Sequence, residues 1–366
     1  MTNDRVGNMA HTDRPSAVPD AGARVAPTSN GQAHPAPRTQ TLLGIRILGT
    51  GCYLPEQVIS NRDLHASHGF DPDWIVNRTG IQERRFALPH QATSDLCTQA
   101  ALRCLRAAGR EPGDVDLLVL GTFTPDMAFP STANLVQDQL KLACPAFDVQ
   151  AACAGFVYAL IIAAQFVGTG NSRCALVIGG DCNSRIINPG DQKSYPLFGD
   201  GAGAVLLAPG EPDQGLLAYQ LGSDGSGGDL LSRPACGSRI PPSAAALEQG
   251  LHYLTMDGRA IFKWAVRILA DSTLTVLAHA HCQVRDVRWF IPHQANVRII
   301  HAATDVLGFH RDSVFKNLDR YGNTSAGSIP IALDELNRQG SIQREDLLLI
   351  SGFGAGLNWG TALWRW

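Results

Sequence analysis

The sequence predicts an α/β protein with a mostly parallel sheet covered on both faces, built from two duplicated halves. Three observations carry this. Continuous apolar runs of strand length alternate with helix-length segments, the pattern of strands buried on both sides. A strand-to-helix transition occurs twice, at Ala151-Ala152-Cys153-Ala154-Gly155-Phe156 and at Asn323-Thr324-Ser325-Ala326-Gly327-Ser328. Two glycine-rich hairpins, Phe198-Gly199-Asp200-Gly201-Ala202-Gly203 and Gly352-Phe353-Gly354-Ala355-Gly356, occupy comparable places in the two halves and put the division near residue 212.

Read in chain order, residues 1–41 are rich in Pro, Ala, Gly, Asn and Thr, with no run of large apolar side chains. Such a segment buries too little surface to offset its ordering entropy, so it reads as a disordered tail. A signal peptide is excluded because no apolar stretch follows the early charges, and Asp4, Asp13 and Asp20 argue against a transit peptide. Order is expected from Leu42. A buried strand over 43–49 precedes a helix over 95–108, a strand over 115–121, a helix over 133–141 and a strand over 147–150. A helix over 156–167 and strands over 174–180 and 202–208 complete the first half, 42–212. The second half, 213–366, follows with a helix over 259–280, a strand over 287–291, helices over 295–307 and 329–338, and strands over 347–351 and 361–366.

Composition bounds the function. Of 366 residues, 45% are hydrophobic and 17% charged, enough apolar content for a large core and a length that allows two domains. A net charge of −3 argues against a general binder of nucleic acid or of anionic membranes. No apolar run approaches the roughly 18 residues of a membrane span. The nine cysteines are odd in number, lack a CxxC pair and mostly sit in apolar segments, which fits thiols packed in a reducing compartment.

Three residues stand out chemically. Cys153 opens a helix, where unpaired N–H groups and the helix dipole favour a thiolate; the alternative is a packed core thiol. His293 follows the strand end Trp289-Phe290-Ile291-Pro292, the edge where parallel α/β folds place ligands, although a satisfied core histidine is equally compatible. Asn323 lies in the turn Tyr321-Gly322-Asn323-Thr324-Ser325, as a helix cap or as an amide donor to a developing oxyanion. His279, His281 and Cys282 lack a second ligand pair, and His65 and His68 likewise, so no metal site is expected. The papain-type signature of a cysteine hydrolase is missing around Cys153, and neither glycine-rich hairpin has the context of a nucleotide-binding loop.

Together, Asp148-Val149-Gln150-Ala151-Ala152-Cys153-Ala154-Gly155-Phe156, Pro292-His293-Gln294-Ala295-Asn296 and Gly322-Asn323-Thr324-Ser325-Ala326 resemble β-ketoacyl-acyl-carrier-protein synthase III. Further matches are Gly49-Thr50-Gly51-Cys52-Tyr53-Leu54-Pro55, Trp74-Ile75-Val76-Asn77-Arg78-Thr79-Gly80-Ile81 and the Phe198 to Gly203 segment. The resemblance runs from about Leu43 to Trp366. It implies a thiolase-like fold with a layered α/β/α/β/α core, a cytoplasmic homodimer, and a decarboxylating Claisen condensation without a cofactor. Acyl-CoA and malonyl-acyl carrier protein (malonyl-ACP) would be its substrates, and initiation of fatty-acid synthesis its role. Starter-unit loading, or acyl transfer to an alcohol or amine, in specialised (polyketide) metabolism is the alternative within the class.

The same resemblance implies residue roles. Cys153 would carry the acyl group, His293 and Asn323 would stabilise the enolate, and the N–H groups of Cys153 and Ala355 would meet the tetrahedral oxyanion. Trp74 and Arg78 would flank the adenine of CoA. Gly258, Asn296 and Phe353 would line the pantetheine channel, and Phe129 would reach the partner subunit's acyl pocket. Lys263 and Arg298 would dock the acidic carrier protein; Lys263 also shares a helix face with Arg259 and Arg267. Three positions depart from the family pattern. Asp191-Gln192-Lys193 stands where an Arg is common, Ala355 replaces the middle of a triple glycine, and Leu357-Asn358 replaces an aromatic-Thr pair.

Overall fold

The computed structural model describes residues 37–366. The expected disordered tail therefore lies outside the described residues, except for its last few positions. Those differ from expectation: Thr39–Leu43 is a strand paired antiparallel with Gly215–Ser223, Thr39 opposite Gln220 and Leu43 opposite Gly215. An edge strand with one half-covered face needs no apolar run, so composition alone does not reveal it. Gly44, with φ +78, breaks the chain before the next strand starts at Ile45.

Two five-stranded sheets form the frame. In the first the order is Ile45–Tyr53, Gly201–Pro209, Ala175–Asp181, Leu117–Gly121, Ala146–Val149. In the second, Thr39–Leu43 flanks the order Gly215–Ser223, Asn358–Arg365, Leu347–Gly354, Trp289–Pro292. Directions match strand for strand. Each sheet has antiparallel pairs on one side, through Gly201–Pro209 or Asn358–Arg365, and parallel pairs on the other. A single parallel bridge between Phe290 and Val314 stands where the first sheet has its fifth strand. The sheets are thus mixed rather than mostly parallel. Apolar runs report burial on both faces but not direction, and in each half the last two strands in the chain pair antiparallel. The strand Gly215–Ser223, which apolar patterning did not mark, occupies the place that Ile45–Tyr53 holds in the first half.

Three apolar clusters separate five layers. One lies between the first sheet and the outer helices Thr93–Ala108 and Thr132–Gln139, through Leu96, Ala100, Val136 and Leu118. Another lies between the second sheet and the outer helices Gly258–His279 and Val297–Leu307, through Leu269, Ile300, Phe290 and Leu363. Between the sheets, Gly155–Gly168 and Ser328–Arg338 pack against both, through Phe156, Leu160, Val177, Ile329, Leu333 and Ile350. Helix Gly155–Gly168 carries no charged residue and is apolar nearly all round, as a central layer requires. Each of these two helices is entered through a 3-10 turn, Ala152–Ala154 or Ser325–Gly327. Each turn holds a residue at positive φ, Ala152 at +47° and Ser325 at +53°. Among the described residues, no helix is long and apolar enough to cross a membrane.

Candidate active site

The two 3-10 turns meet at the centre of the molecule. Cys153 is buried in the first, immediately before the central helix. Its Sγ accepts a hydrogen bond from the Ser325 hydroxyl at 3.1 Å, across the two halves. Helix position was expected to lower the thiol pKa; burial instead pushes it up to about 12. The Ser325 hydrogen bond opposes that rise, buried Asp181 adds to it, and the Cys153 N–H lowers it again. At neutral pH Cys153 is therefore a thiol, and desolvation outweighs the helix end.

Asn323 sits just before the second turn, with its N–H donating to Leu197 O at 2.8 Å. Its Oδ1 accepts the Ser325 N–H at 2.8 Å, which fixes the amide and leaves Nδ2 as its free donor. His293 is buried at the end of strand Trp289–Pro292, its N–H bonded to Ser351 O at 2.8 Å. Nδ1 lies 2.7 Å from Ser328 Oγ, and that oxygen also accepts the Gln294 N–H at 3.4 Å. In the tautomer that carries the ring hydrogen on Nε2, Ser328 Oγ donates to Nδ1. Burial drives the imidazole pKa down to about 3, so the ring is neutral. The edge of Phe353 packs on it, with centroids 5.2 Å apart.

Asp181 braces the site from the first sheet. Its Oδ1 accepts from Thr122 Oγ1, Phe123 N, Thr124 N and Thr124 Oγ1, and its Oδ2 from the Ala326 N–H at 3.0 Å. Burial raises its pKa to about 6. At Gly354 a Cβ would lie 2.7 Å from Cys153 N and 3.0 Å from Cys153 Cβ, so only glycine lets this strand pass the nucleophile. The next residue, Ala355, is not among the residues at positive φ, so its methyl costs nothing there. Its carbonyl accepts from Asn358 Nδ2 at 2.8 Å, and its N–H carries no hydrogen bond among the described residues. Leu357 is buried, and its N–H bonds Asp224 O at 2.8 Å.

The remaining expected residues lie on several elements. Trp74, half-buried, and Arg78, exposed, share a face of helix Pro72–Thr79 at i and i+4. The Arg78 carbonyl accepts from Asn296 Nδ2 at 3.1 Å, while Asn296 Oδ1 caps the next helix by accepting the Arg298 N–H at 2.9 Å. The amide of Asn296 thus joins two elements. Gly258 starts helix Gly258–His279 and is exposed. From that helix Trp264 reaches the Phe353 ring, with centroids 6.1 Å apart. Arg259, Lys263 and Arg267 are exposed on its outer face. Arg298 lies over the Phe262 ring at 5.8 Å, and none of the four is ion-paired among the described residues. Phe129 is 84% exposed. Its loop is anchored by Asp126, whose carboxylate accepts from Ser94 N and Ser94 Oγ. Lys193 is exposed, and its N–H is held by Asp191 Oδ1 at 2.9 Å. A Cβ at Gly199 would lie 2.2 Å from Tyr321 O, so the glycine serves the contact between the halves.

Ser325, Ser328 and Asp181 were not singled out in the sequence. Hydroxyls at a turn and the first position of a helix are common, so no local pattern marks either serine.

A thiol, a neutral imidazole and an oriented amide, gathered between duplicated α/β halves, define a thiolase-fold condensing enzyme. The comparisons narrow the class. Family descriptions for 3-oxoacyl-[acyl-carrier-protein (ACP)] synthase III match residues 147–225, and for its C-terminal part residues 277–366. A β-ketoacyl-[acyl-carrier-protein] synthase III of Rhodopirellula baltica is 51% identical over 343 residues, covering 89% of this chain and 99% of the relative. One from Caldanaerobacter subterraneus is 48% identical over 87% of this chain and 97% of its own. The solved 3-oxoacyl-[acyl-carrier-protein] synthase III of Aquifex aeolicus superposes with a TM-score of 0.81 at 42% identity, covering 88% of this chain and all of that one. The Pseudomonas aeruginosa structure gives 0.82 at 40%, covering 88% and 98%. The chain belongs to the β-ketoacyl-[acyl-carrier-protein] synthase III family.

Proposed function

We propose that the protein condenses a short, acetyl-CoA-like acyl-CoA with malonyl-ACP, giving a 3-oxoacyl-ACP that initiates fatty-acid synthesis. The observation that carries this is the pair of neutral donors, His293 Nε2–H and Asn323 Nδ2–H, each fixed by a serine of one turn beside Cys153. A pure acyl transferase has no need of an enolate stabiliser. Cys153 Sγ attacks the acyl-CoA carbonyl, and CoA leaves with the thiol proton, giving an acyl-enzyme. Malonyl-ACP then loses carbon dioxide. The electron pair of the broken C–C bond moves onto the thioester as an enolate, whose oxygen takes both hydrogen bonds. The enolate carbon attacks the acyl carbonyl, its oxyanion is met by the N–H groups of Cys153 and Ala355, and the Cys153 thiolate is expelled. No metal or redox cofactor enters the reaction.

Trp74 and Arg78 hold the nucleotide end of CoA; Gly258, Asn296 and Phe353 line the pantetheine path. Lys263 and Arg298 dock the acidic carrier protein. The exposed Phe129 enters the acyl pocket of a second subunit in a cytoplasmic homodimer, since an 84% exposed aromatic on an anchored loop suits burial at an interface. Radiolabelled acetyl-CoA labels the wild type at Cys153 and leaves Cys153→Ser unlabelled; label elsewhere contradicts the assignment. Sedimentation velocity reads the dimer, and a monomer at micromolar concentration removes the role given to Phe129.

A further inference from the structure

Ser325 is fully buried and holds φ +53°, a conformation serine seldom adopts. Its N–H fixes the amide of Asn323, and its hydroxyl points at the thiol of the other half. The condensation described above uses the N–H but assigns the hydroxyl nothing. We propose that Ser325 is a further catalytic residue, whose hydroxyl hydrogen bond stabilises the charge that develops on Cys153 Sγ. This rests on the reading of Cys153 as the nucleophile.

Sulfur carries negative charge at two points of the cycle, when it attacks acyl-CoA and when condensation expels it. Between them it is a thioester sulfur, uncharged and a poor acceptor. A hydrogen bond to an ionised acceptor is roughly twice as strong as one to a neutral acceptor, so the hydroxyl favours the two charged states. The surroundings make such a donor necessary. The thiol is desolvated, Asp181 behind it disfavours a second negative charge, and His293 is neutral. With the Cys153 N–H, Ser325 is what opposes the rise in the thiol pKa. The hydroxyl has no part in carbon dioxide release, where the charge develops on the substrate.

The test compares Ser325→Ala and Ser325→Gly in the full chain. Both keep the N–H that orients Asn323, and glycine also relieves the positive φ. Alkylation of Cys153 by iodoacetamide is followed across pH by peptide mass spectrometry, and carbon dioxide release from malonyl-ACP serves as the control. Both variants are expected to react roughly tenfold more slowly at neutral pH. Carbon dioxide release should fall by less than alkylation does, because both variants keep the N–H that orients Asn323. Wild-type rates in both variants overturn the inference. So does slowing in alanine alone, which would be backbone strain, and so does equal loss of alkylation and carbon dioxide release. If wild-type Cys153 alkylates but takes no acyl group from any acyl-CoA, the proposed function fails while the alkylation comparison still decides the role of Ser325.

Discussion

The hydroxyl of Ser328 lies 2.7 Å from Nδ1 of His293. In the proposed reaction it donates to Nδ1, which leaves Nε2–H as the ring's donor to the substrate. Ser328→Ala lets the ring take either tautomer. Condensation is expected to fall about tenfold or more, as the loss of a hydrogen bond that orients a catalytic ring implies. Acylation of Cys153 should change little, and Ser328→Thr should retain most activity. Rapid-quench measurement of the two half-reactions separates these outcomes; equal slowing of both would remove the orienting role.

Burial holds the His293 pKa near 3, well below the ordinary value of 6.5. The neutral donor form is therefore complete above about pH 5, and no activity that depends on it is gained between pH 5 and 8. Carbon-13 NMR of ring-labelled protein should show no titration of His293 over that range. A midpoint near 6.5 would mean that the imidazole is solvated and its donor role pH-gated.

Asn323 Oδ1 is already occupied by the Ser325 N–H, so the side chain acts only through Nδ2. Asn323→Ala should still be acylated by acetyl-CoA, yet release carbon dioxide roughly 10²–10³-fold more slowly, the usual effect of losing one oxyanion donor. Asn323→Asp should be as poor, because a carboxylate supplies no hydrogen at that point. Normal decarboxylation in either variant contradicts the assigned role.

Two adjacent positions should respond in opposite ways. Gly354→Ala sets a methyl against Cys153, where the backbone on both sides is fixed, and should abolish most acylation while leaving the protein folded. Ala355→Gly should leave activity within about twofold, because Ala355 already holds an ordinary backbone conformation. Acylation rates with circular dichroism as a folding control decide the matter; a large effect at Ala355 would move the steric constraint one residue along.

Lys263→Glu and Arg298→Glu should each raise KM for malonyl-ACP about three- to tenfold, and less so at high salt, where exposed charges are screened. Acylation from acetyl-CoA should be unchanged. Equal loss of both activities would place these residues in the CoA path.

Much of this was legible in the sequence. Continuous apolar runs located most strands of both sheets, and the repeated turn before Phe156 and Ser328 revealed the duplication. Cys153, His293 and Asn323 stood out because they sit at strand-to-helix junctions. Sheet direction was not legible, since burial on both faces looks alike in parallel and mixed sheets. The edge strand Thr39–Leu43 escaped because its residues are mostly solvated and its partner lies about 180 residues away. Ser325 and Ser328 escaped because their importance lies in two long-range hydrogen bonds, to Cys153 across the halves and to His293 within the second half, which no local pattern encodes. The Cys153 pKa shifts opposite to the sequence expectation for a related reason: the helix end is local and visible, whereas the burial that outweighs it comes from the whole fold.

The central claim is that an acyl group passes through Cys153 and leaves it as part of a new carbon–carbon bond. Protein carrying an isotopically labelled acetyl group on Cys153, freed of acetyl-CoA, is mixed with malonyl-ACP and followed by intact-mass spectrometry of both proteins. The account predicts loss of the label from Cys153 and its appearance, in equal amount, in a 3-oxoacyl group on the carrier protein with matching carbon dioxide release. Label released as free acetate, or transferred to the carrier without loss of carbon dioxide, would contradict it.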